Sequence, residues 1–244
     1  MKCSVCMAAY NGEKYIKEQI DSILRQIGDE DELIISDDGS EDSTVKIIES
    51  IDDDRIILLH NTIRHGYTSN FENALNHASG DLILLSDQDD VWLPQKYETV
   101  KGLLAEYDFV VHDCKIINQD LKILKESYFE EMNVKPGFLS QMIRMRYLGC
   151  CMAFGRSVLE MALPFPPNTD LVEHDTWLAS ISELYFNCKK YDEPLLLYRR
   201  HGSNTSDGGW GKGYSLYNKV YRRIYRLTYL LQAKRNVITK NRGI

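Results

Sequence analysis

The first 86 residues alternate between short apolar runs and segments that place apolar residues on one helical face. This alternation is typical of a parallel α/β sheet with right-handed crossovers. The run at residues 82–85 is apolar throughout, as expected for a strand covered on both faces. Strands are predicted at residues 3–9, 33–35, 55–59 and 82–85, with helices at 13–26, 42–51 and 70–78.

The second half of the chain has a less regular pattern and contains no internal repeat or low-complexity linker. Near its end, residues 214–240 have the spacing of one or two helices. We expect strands at 107–112, 115–118, 147–154, 185–191 and 195–199, and helices at 136–145 and 175–184.

Polar side chains follow three of the predicted strands at the point where each ends. These are Tyr10 with Asn11, residues 37–38 (DD) and residues 87–90 (DQDD). In parallel sheets, ligands bind beyond the carboxyl ends of the strands. Asp87 and Asp89 offer hard oxygen ligands one residue apart, which suits a divalent cation. A solvated acidic turn is the alternative, but the apolar residues 91–94 (VWLP) that follow at once favour a binding site.

Charge is distributed unevenly along the chain. The whole chain carries −7, but residues 208–244 contain nine Lys and Arg and no acidic residue, which leaves −16 on residues 1–207. An acidic body argues against general nucleic-acid binding, and a basic tail favours docking to an anionic surface. The composition is that of a soluble globular protein, and no apolar run approaches the length of a membrane span.

The six cysteines do not predict a disulfide framework. The first nine residues predict a strand rather than a signal peptide, so reduced thiols in the cytoplasm are expected. Cys3 and Cys6 have zinc-like spacing, but no second pair or histidine stands at a familiar distance. We therefore interpret these two as buried thiols of a strand.

Three segments together resemble the family 2 glycosyltransferases of the A-type fold (GT-A). They are residues 9–12 (AYNG), 36–44 (SDDGSEDST) and 86–92 (SDQDDVW). The resemblance covers about residues 1–205, and the third segment is similar to a branch that contains bacterial rhamnosyltransferases of surface-polysaccharide synthesis. It implies a Rossmann-like, mostly parallel sheet flanked by helices.

The resemblance also implies a division of the chain. A catalytic domain would span residues 1–205, with a nucleotide-binding half at 1–112 and an acceptor half at 113–205. Residues 206–244 would form a basic, amphipathic helical tail.

For the nucleotide, the resemblance implies contacts from the first two segments. The backbone near Ala8 and Tyr10, with Asn11 in the same turn and Asp38, would hold a pyrimidine base and ribose. Asp37 is expected to shape the turn around Asp38. The same segment also has the composition of an Asx turn with a helix cap, so both roles are open.

For the cation, Asp89 would be the principal ligand of Mn²⁺ or Mg²⁺. Asp87 would face the donor ribose, the cation or its waters, and Asp90 would support the site or contact the donor sugar. His201 and the adjacent Arg199 and Arg200, in residues 198–204 (YRRHGSN), match a late segment in which a histidine approaches the cation or diphosphate. The arginines would neutralise the leaving group.

Two further segments resemble parts of the acceptor half. Gly149, in residues 147–151 (YLGCC), matches a loop beneath donor and acceptor, although a glycine in a strand also permits close backbone approach. Asp175, in residues 173–177 (EHDTW), matches the general base that deprotonates the acceptor hydroxyl. The alternative is that Asp175 only caps a helix.

The tail repeats tyrosine at every fourth position, at Tyr217, Tyr221, Tyr225 and Tyr229, with arginines between. Such a helix fits an anionic membrane surface that carries a lipid-linked acceptor. It fits equally well a helix that packs its tyrosines on the catalytic domain.

The expected function is inverting, metal-dependent transfer of a sugar, with rhamnose suggested by the third segment. The donor would be a UDP or dTDP sugar and the acceptor a lipid-linked glycan at the inner face of the plasma membrane. One alternative, a sugar nucleotidyltransferase, normally has a glycine-rich loop after its first strand, whereas residues 9–14 are poor in glycine. Another, a non-catalytic scaffold, would be favoured by loss of Asp89 or Asp175, and both are present.

Overall fold

The first 87 residues form strands and helices in the expected alternation. The computed structural model describes residues 1–62, 64–201 and 215–241. Its elements in this half are β1 (Cys3–Ala9), α1 (Ile16–Leu24), β2 (Glu32–Asp37), α2 (Thr44–Glu49), β3 (Ile56–His60), α3 (Tyr67–His77) and β4 (Leu82–Asp87).

These four strands form a parallel sheet in the order β3-β2-β1-β4. Val5 of β1 pairs with Leu33 of β2 on one side and with Leu84 of β4 on the other, and all three side chains are buried. The continuous apolar runs predicted in the sequence are therefore explained, because helices cover both faces of this part of the sheet.

The second half extends the same sheet with strands of mixed direction. β8 runs antiparallel to β4 and to β6, β9 runs parallel to β6, and β5 and β7 pair antiparallel with β9 and β6. Its elements are β5 (Val91–Trp92), α4 (Lys96–Leu104), β6 (Phe109–Asn118), β7 (Ile123–Lys125), α5 (Tyr128–Met132), α6 (Phe138–Ile143), a 3-10 turn (Gly149–Cys151), β8 (Met152–Gly155), α7 (Arg156–Ala162), α8 (His174–Tyr185), β9 (Cys188–Arg200) and α9 (Leu216–Asn241).

Two predicted strand pairs are single long strands. Residues 107–112 and 115–118 join in β6, whose pairing with β9 shifts register on both sides of Asp113. The Asp113 carboxylate accepts hydrogen bonds from the Ser127 hydroxyl at 2.5 Å and from the Phe129 backbone N–H at 2.9 Å. Asp113 therefore interrupts the apolar pattern of the sequence because its carboxylate binds the segment at residues 127–129, while the strand continues through it. Similarly, 185–191 and 195–199 join in β9.

The strand expected over residues 147–154 was wrong before residue 152: residues 149–151 form the 3-10 turn, and β8 begins at Met152. The tail is helical as expected, and α9 packs on α7 and α8. The Tyr185 hydroxyl donates to the Leu230 carbonyl at 3.0 Å, and the Asn168 N–H donates to the Tyr225 hydroxyl at 3.0 Å. Among the described residues, no helix has both the length and the apolar composition of a transmembrane span.

The predicted boundary at residues 205 and 206 lies outside the described residues, as do Gly202, Asn204 and Tyr214. Cys3 and Cys6 are free, buried thiols on β1, as the strand interpretation expects, and burial raises the pKa of both.

The turn before β4 requires glycine at position 80. A Cβ there would lie 2.7 Å from the Ser4 nitrogen and 2.8 Å from the Lys2 carbonyl oxygen, both backbone atoms of the β1 end. We predict that Gly80→Ala lowers the free energy of unfolding by about 1–3 kcal/mol, as for other overpacked sites, measured by urea denaturation. Gly102→Ala is the matched control: it lies exposed in α4 with open space around it, and we expect stabilisation of up to about 1 kcal/mol. Equal effects of the two changes would contradict this account.

Candidate active site

A cleft of about 620 Å³ opens at the carboxyl ends of β1, β2 and β4. Its walls come from the loops after these strands, from α3, from the 3-10 turn and α8, and from the end of β9. The predicted site residues that line it are Ala8, Tyr10, Asn11, Asp38, Asp87, Asp89, Gly149, Asp175 and His201. Residues far apart in sequence thus meet at the expected edge of the sheet.

Gln88 fastens the loop after β4 to the loop after β1. Its side-chain carbonyl accepts from the Tyr10 N–H at 2.9 Å, and its amide donates to the Tyr10 carbonyl at 2.8 Å. Gly12 makes room for this contact, because a Cβ there would lie 2.2 Å from Gln88 Oε1. The side chain between the two aspartates therefore fixes the backbone predicted to hold the nucleotide.

Asn11 lines the cleft, and its described hydrogen bonds join neighbouring loops. Its backbone N–H donates to the Ser40 hydroxyl at 2.9 Å, and its side-chain oxygen accepts from the Glu41 N–H at 2.9 Å. Asp42 accepts from the Glu13 N–H at 3.1 Å and the Thr44 N–H at 2.9 Å. The second sequence segment therefore locks two loops together through short polar side chains.

Asp37 and Asp38 have different partners. Asp37 shapes the turn as predicted, accepting from the N–H groups of Gly39 at 3.1 Å and Ser40 at 3.0 Å. Asp38 lines the cleft, but its carboxylate also accepts from the Gly66 N–H at 2.7 Å and the Asn61 amide at 2.8 Å. The carboxylate thus anchors the loop between β3 and α3.

That loop and the first turns of α3 add cleft residues that the sequence did not reveal. Gly66, Tyr67, Asn70 and Phe71 all line the cleft, and the Asn70 amide donates to the Ala9 carbonyl at 3.1 Å. The glycine at position 66 was a local sign of a turn in this loop, and its φ of 114° is indeed a backbone conformation that favours glycine. Nothing in the polar pattern of residues 61–71 distinguished them from an ordinary connecting loop.

Three carboxyl groups crowd the end of β4. Burial, reinforced by the charge of Asp89, raises the pKa of Asp87 to about 7. Asp90 is fully buried, and burial with the charges of Asp89 and Asp87 raises its pKa well above the usual range. One oxygen of Asp87, one oxygen of Asp90 and the Cys150 sulfur lie within 4.8 Å of one another. Asp90 Oδ2 has no hydrogen-bond partner among the described residues. A positive charge would therefore be stabilised here.

Asp89 and His201 meet at the cleft wall. His201 Nε2 lies 2.7 Å from Asp89 Oδ2, with side chains only 9% and 15% exposed. The Tyr15 ring lies 4.9 Å from the imidazole, centroid to centroid. A carboxylate and an imidazole brought this close suit a divalent cation such as Mn²⁺. Asp87, at the end of β4, lines the same cleft. The residues present therefore fit the predicted cation.

Arg199, Arg200 and Asp90 do not line the cleft, and a contact of these residues with the donor stays a prediction. Arg199 is buried beneath the site, where its guanidinium bonds to Glu18 at 2.5 Å and to the Asp89 carbonyl at 2.7 Å. Its backbone N–H donates to Asp90 at 2.9 Å. Because Arg199 follows the alternation of β9, its side chain points beneath the acidic loop, whereas that of Tyr198 reaches the cleft.

Gly149 brings the 3-10 turn against the start of α8. A Cβ at Gly149 would lie 2.7 Å from His174 Nε2. His174 stacks on Phe71 with ring centroids 4.2 Å apart, and neither ring nitrogen has a hydrogen-bond partner among the described residues. Burial lowers the pKa of His174 to about 4, so the imidazole is neutral at physiological pH. The glycine thus permits close approach, as predicted, but in a turn rather than a strand.

Asp175 lies in the first turn of α8 and lines the cleft. The N-cap position of this helix belongs to Glu173, so the structure does not support capping as the role of Asp175. Desolvation raises the pKa of Asp175 to about 6, although the Thr176 N–H, 2.5 Å from its Oδ1, acts in the other direction. Glu173 is a second carboxyl on the same wall, within 3.5 Å of Arg222.

Comparison with known proteins agrees with this arrangement. The family model described as glycosyl transferase family 2 matches residues 4–163, about two thirds of the chain. The chain belongs to glycosyl transferase family 2. The match covers β1 to α7 and includes both acidic segments, while Asp175 and His201 lie beyond it.

The relatives of this family 2 chain include bacterial glycosyltransferases. An uncharacterized glycosyltransferase of Nostoc is 26% identical over 84% of this chain and 66% of its own length. The Escherichia coli WfgD protein, named UDP-Glc:alpha-D-GlcNAc-diphosphoundecaprenol beta-1,3-glucosyltransferase, is 34% identical over 48% of this chain and 47% of its own length. This chain therefore spans about half to two thirds of these relatives.

Solved structures share the fold. Staphylococcus aureus TarS in complex with UDP superposes with a TM-score of 0.65 and 20% identity, over 82% of this chain and 61% of that one. A mannosyltransferase of Pyrobaculum calidifontis, in complex with GDP-Man and Mn²⁺, superposes with a TM-score of 0.60 and 19% identity. The superposition covers 95% of this chain and 73% of that one. The α/β GT-A-like fold, with its partly parallel sheet flanked by helices, is thereby confirmed.

Proposed function

We propose that this chain transfers a sugar from a nucleoside-diphosphate donor to an acceptor hydroxyl. One observation carries the proposal: Asp38, Asp89 and Asp175 line a single cleft, although 137 positions separate the first from the last. These carboxylates are the ones expected at the nucleoside, at the cation and at the acceptor hydroxyl. A site with all three suits sugar transfer better than nucleotide binding alone. The family and fold support the same chemistry.

The donor end of the cleft lies between the loop after β1 and the acidic end of β4. The Tyr10 backbone, fixed by Gln88, and Asp38 are proposed to hold base and ribose. Asp89 and His201 would hold Mn²⁺ or Mg²⁺, with Asp87 close by. When bound, the cation would neutralise charge that develops on the departing diphosphate. Arg199 keeps the Asp89 loop in place from below.

The acceptor end of the cleft lies at the start of α8. Asp175 is the proposed general base, because a half-buried carboxyl with a pKa near 6 is ionised at neutral pH and basic enough to accept a proton. It would take the proton of the acceptor hydroxyl as the oxygen attacks the anomeric carbon. Attack from the side opposite to the diphosphate gives inversion, which is the stereochemical outcome that we propose.

Substrate identity rests on resemblance and on relatives. We propose a pyrimidine nucleoside diphosphate donor, UDP or dTDP, and a lipid-linked glycan acceptor. Residues 87–92 favour rhamnose, whereas the name of the E. coli relative specifies glucose and an undecaprenol-linked acceptor. Donors carrying either sugar are therefore the ones to test.

Calorimetric titration with UDP, dTDP, GDP and ADP tests the donor site. We predict that one pyrimidine diphosphate binds and that Mn²⁺ or Mg²⁺ strengthens its binding at least tenfold, because the cation bridges carboxylate and diphosphate charge. Asp89→Ala should remove most of this metal-dependent gain, about 1.4 kcal/mol per factor of ten.

Asp54→Ala is the matched control, because Asp54 is an exposed aspartate before the start of β3, at the opposite end of the strand from the cleft. It should bind as the unchanged chain does. Absence of nucleotide binding with or without metal would contradict the proposed function and favour a non-catalytic scaffold.

Substitution of the proposed base tests the chemical step. With the donor chosen by calorimetry and N-acetylglucosaminyl-diphosphoundecaprenol as first acceptor, we predict that Asp175→Asn lowers kcat by about 10²–10⁴-fold, the usual contribution of a general base. Burial raises the pKa of Asp175 to about 6, so the rate should fall as pH drops through 6 and level off above it. The variant should lose that acid limb.

Glu173→Gln is the control for this experiment, since Glu173 lies on the same wall two residues away. We expect less than about tenfold loss and an unchanged acid limb. If Glu173→Gln abolished the reaction and Asp175→Asn did not, the base would be assigned to Glu173 instead.

A further inference from the structure

The outer side of α9 is apolar although no described part of the chain covers it. Val220, Ile224 and Leu227 are 45%, 55% and 39% exposed, and Leu231 is 58% exposed. With 3.6 residues per turn, these four side chains fall within about 60° of the helix circumference. The buried side of the helix, which includes Arg226 and Ala233, packs on the domain. One exposed face of the helix is thus apolar.

Helix α6 extends this apolar surface. Leu139 is 76% exposed and Ile143 is 72% exposed. Arg223 of α9 donates from Nε to the Met142 carbonyl at 2.7 Å and from Nη2 to the Ile143 carbonyl at 2.5 Å. Arg223 therefore joins the two helices, and we call their exposed aliphatic residues together the α6–α9 face.

Charge indicates what covers the α6–α9 face. Helix α9 contains seven Lys and Arg and no Asp or Glu, while the chain as a whole carries −7. Lys219, Lys234 and Arg235 are exposed on this helix. Apolar side chains bordered by cations match the boundary of an anionic lipid layer, where both kinds of group are stabilised. Pairing with a second copy would bring two strongly positive helices together.

The position of this face relates it to the cleft. Arg222, on α9, donates to the Asp170 carbonyl and lies 3.5 Å from Glu173, on the wall that carries Asp175. Arg226 is buried between α9 and α6, and the charge of Asp175 raises its pKa against a larger lowering by burial. The proposed acceptor end of the cleft therefore lies beside the first turns of α9.

We infer that the α6–α9 face docks on an anionic membrane surface. Val220, Ile224 and Leu227, with Leu139 and Ile143, enter the headgroup boundary. The exposed cations Lys219, Lys234 and Arg235 contact lipid phosphates. The acceptor end of the cleft then faces the lipid surface. Docking itself does not rest on the proposed function, because it follows from exposed apolar area and charge alone.

Co-sedimentation of the full chain with lipid vesicles tests this inference. Vesicles of phosphatidylcholine with about one third phosphatidylglycerol should bind the chain at about 0.15 M salt, and pure phosphatidylcholine vesicles should bind it at least tenfold more weakly. Higher salt should weaken binding severalfold, because it screens the electrostatic part. The triple variant Val220→Ser, Ile224→Ser, Leu227→Ser should bind the anionic vesicles at least tenfold more weakly.

The control triple is Leu121→Ser, Ile123→Ser, Leu124→Ser. These residues are 45%, 43% and 50% exposed, close to the values on α9, and belong to the hairpin that joins β6 to β7. This control should keep its vesicle binding, and both triples should keep the circular dichroism and melting temperature of the unchanged chain.

Equal loss in both triples, or equal binding to anionic and uncharged vesicles, would overturn the inference. The inference would also fail if the chain bound no vesicles and formed a dimer in sedimentation equilibrium that the triple variant in α9 dissociates. None of these measurements uses a sugar donor, so they are separable from failure of the proposed transferase activity.

Discussion

The register of β1 between β2 and β4 places the polar ends of three strands side by side. Ala9 pairs with Asp37 and Ala8 pairs with Asp87, so the loops that follow start at one level. A slip of one residue would turn each side chain to the other face and shift it by about 3.3 Å. The buried apolar residues of these strands prevent such a slip. Packing in the core thus fixes the geometry of the cleft.

The loops at that edge are held in place by side chains that have no proposed part in the reaction itself. Gln88 binds the Tyr10 backbone, Asp37 closes its own turn, and Arg199 supports the acidic loop from beneath. Crowding of Asp87, Asp89 and Asp90 is unfavourable without a positive charge, because burial and mutual repulsion both disfavour ionisation. A bound cation would relieve this repulsion.

Much of the fold could be read from the sequence because its first half has strong periodicity and turn chemistry. The three strand-end segments were placed correctly at one edge, since parallel topology leaves little choice. The β3–α3 loop was missed because Asn61 and Gly66 act through contacts with Asp38 that no local pattern reveals. The partners of Arg199 could not be read from its motif for a similar reason: strand alternation in β9 places its guanidinium against Glu18 and the Asp89 carbonyl. The sequence could not show that β6 is one strand rather than two, because this depends on hydrogen bonds from Ser127 and Phe129 to the Asp113 carboxylate.

The central claim is that Asp89 and His201 hold the cation that accompanies the donor nucleotide. Crystals grown with Mn²⁺ and the pyrimidine diphosphate selected by titration, measured at the manganese absorption edge, test it most directly. The account predicts one strong anomalous peak, about 2.0–2.6 Å from an Asp89 oxygen and His201 Nε2 and next to the diphosphate. A peak among Asp87, Asp90 and Cys150 instead, or a bound nucleotide without any peak at Asp89, would contradict it.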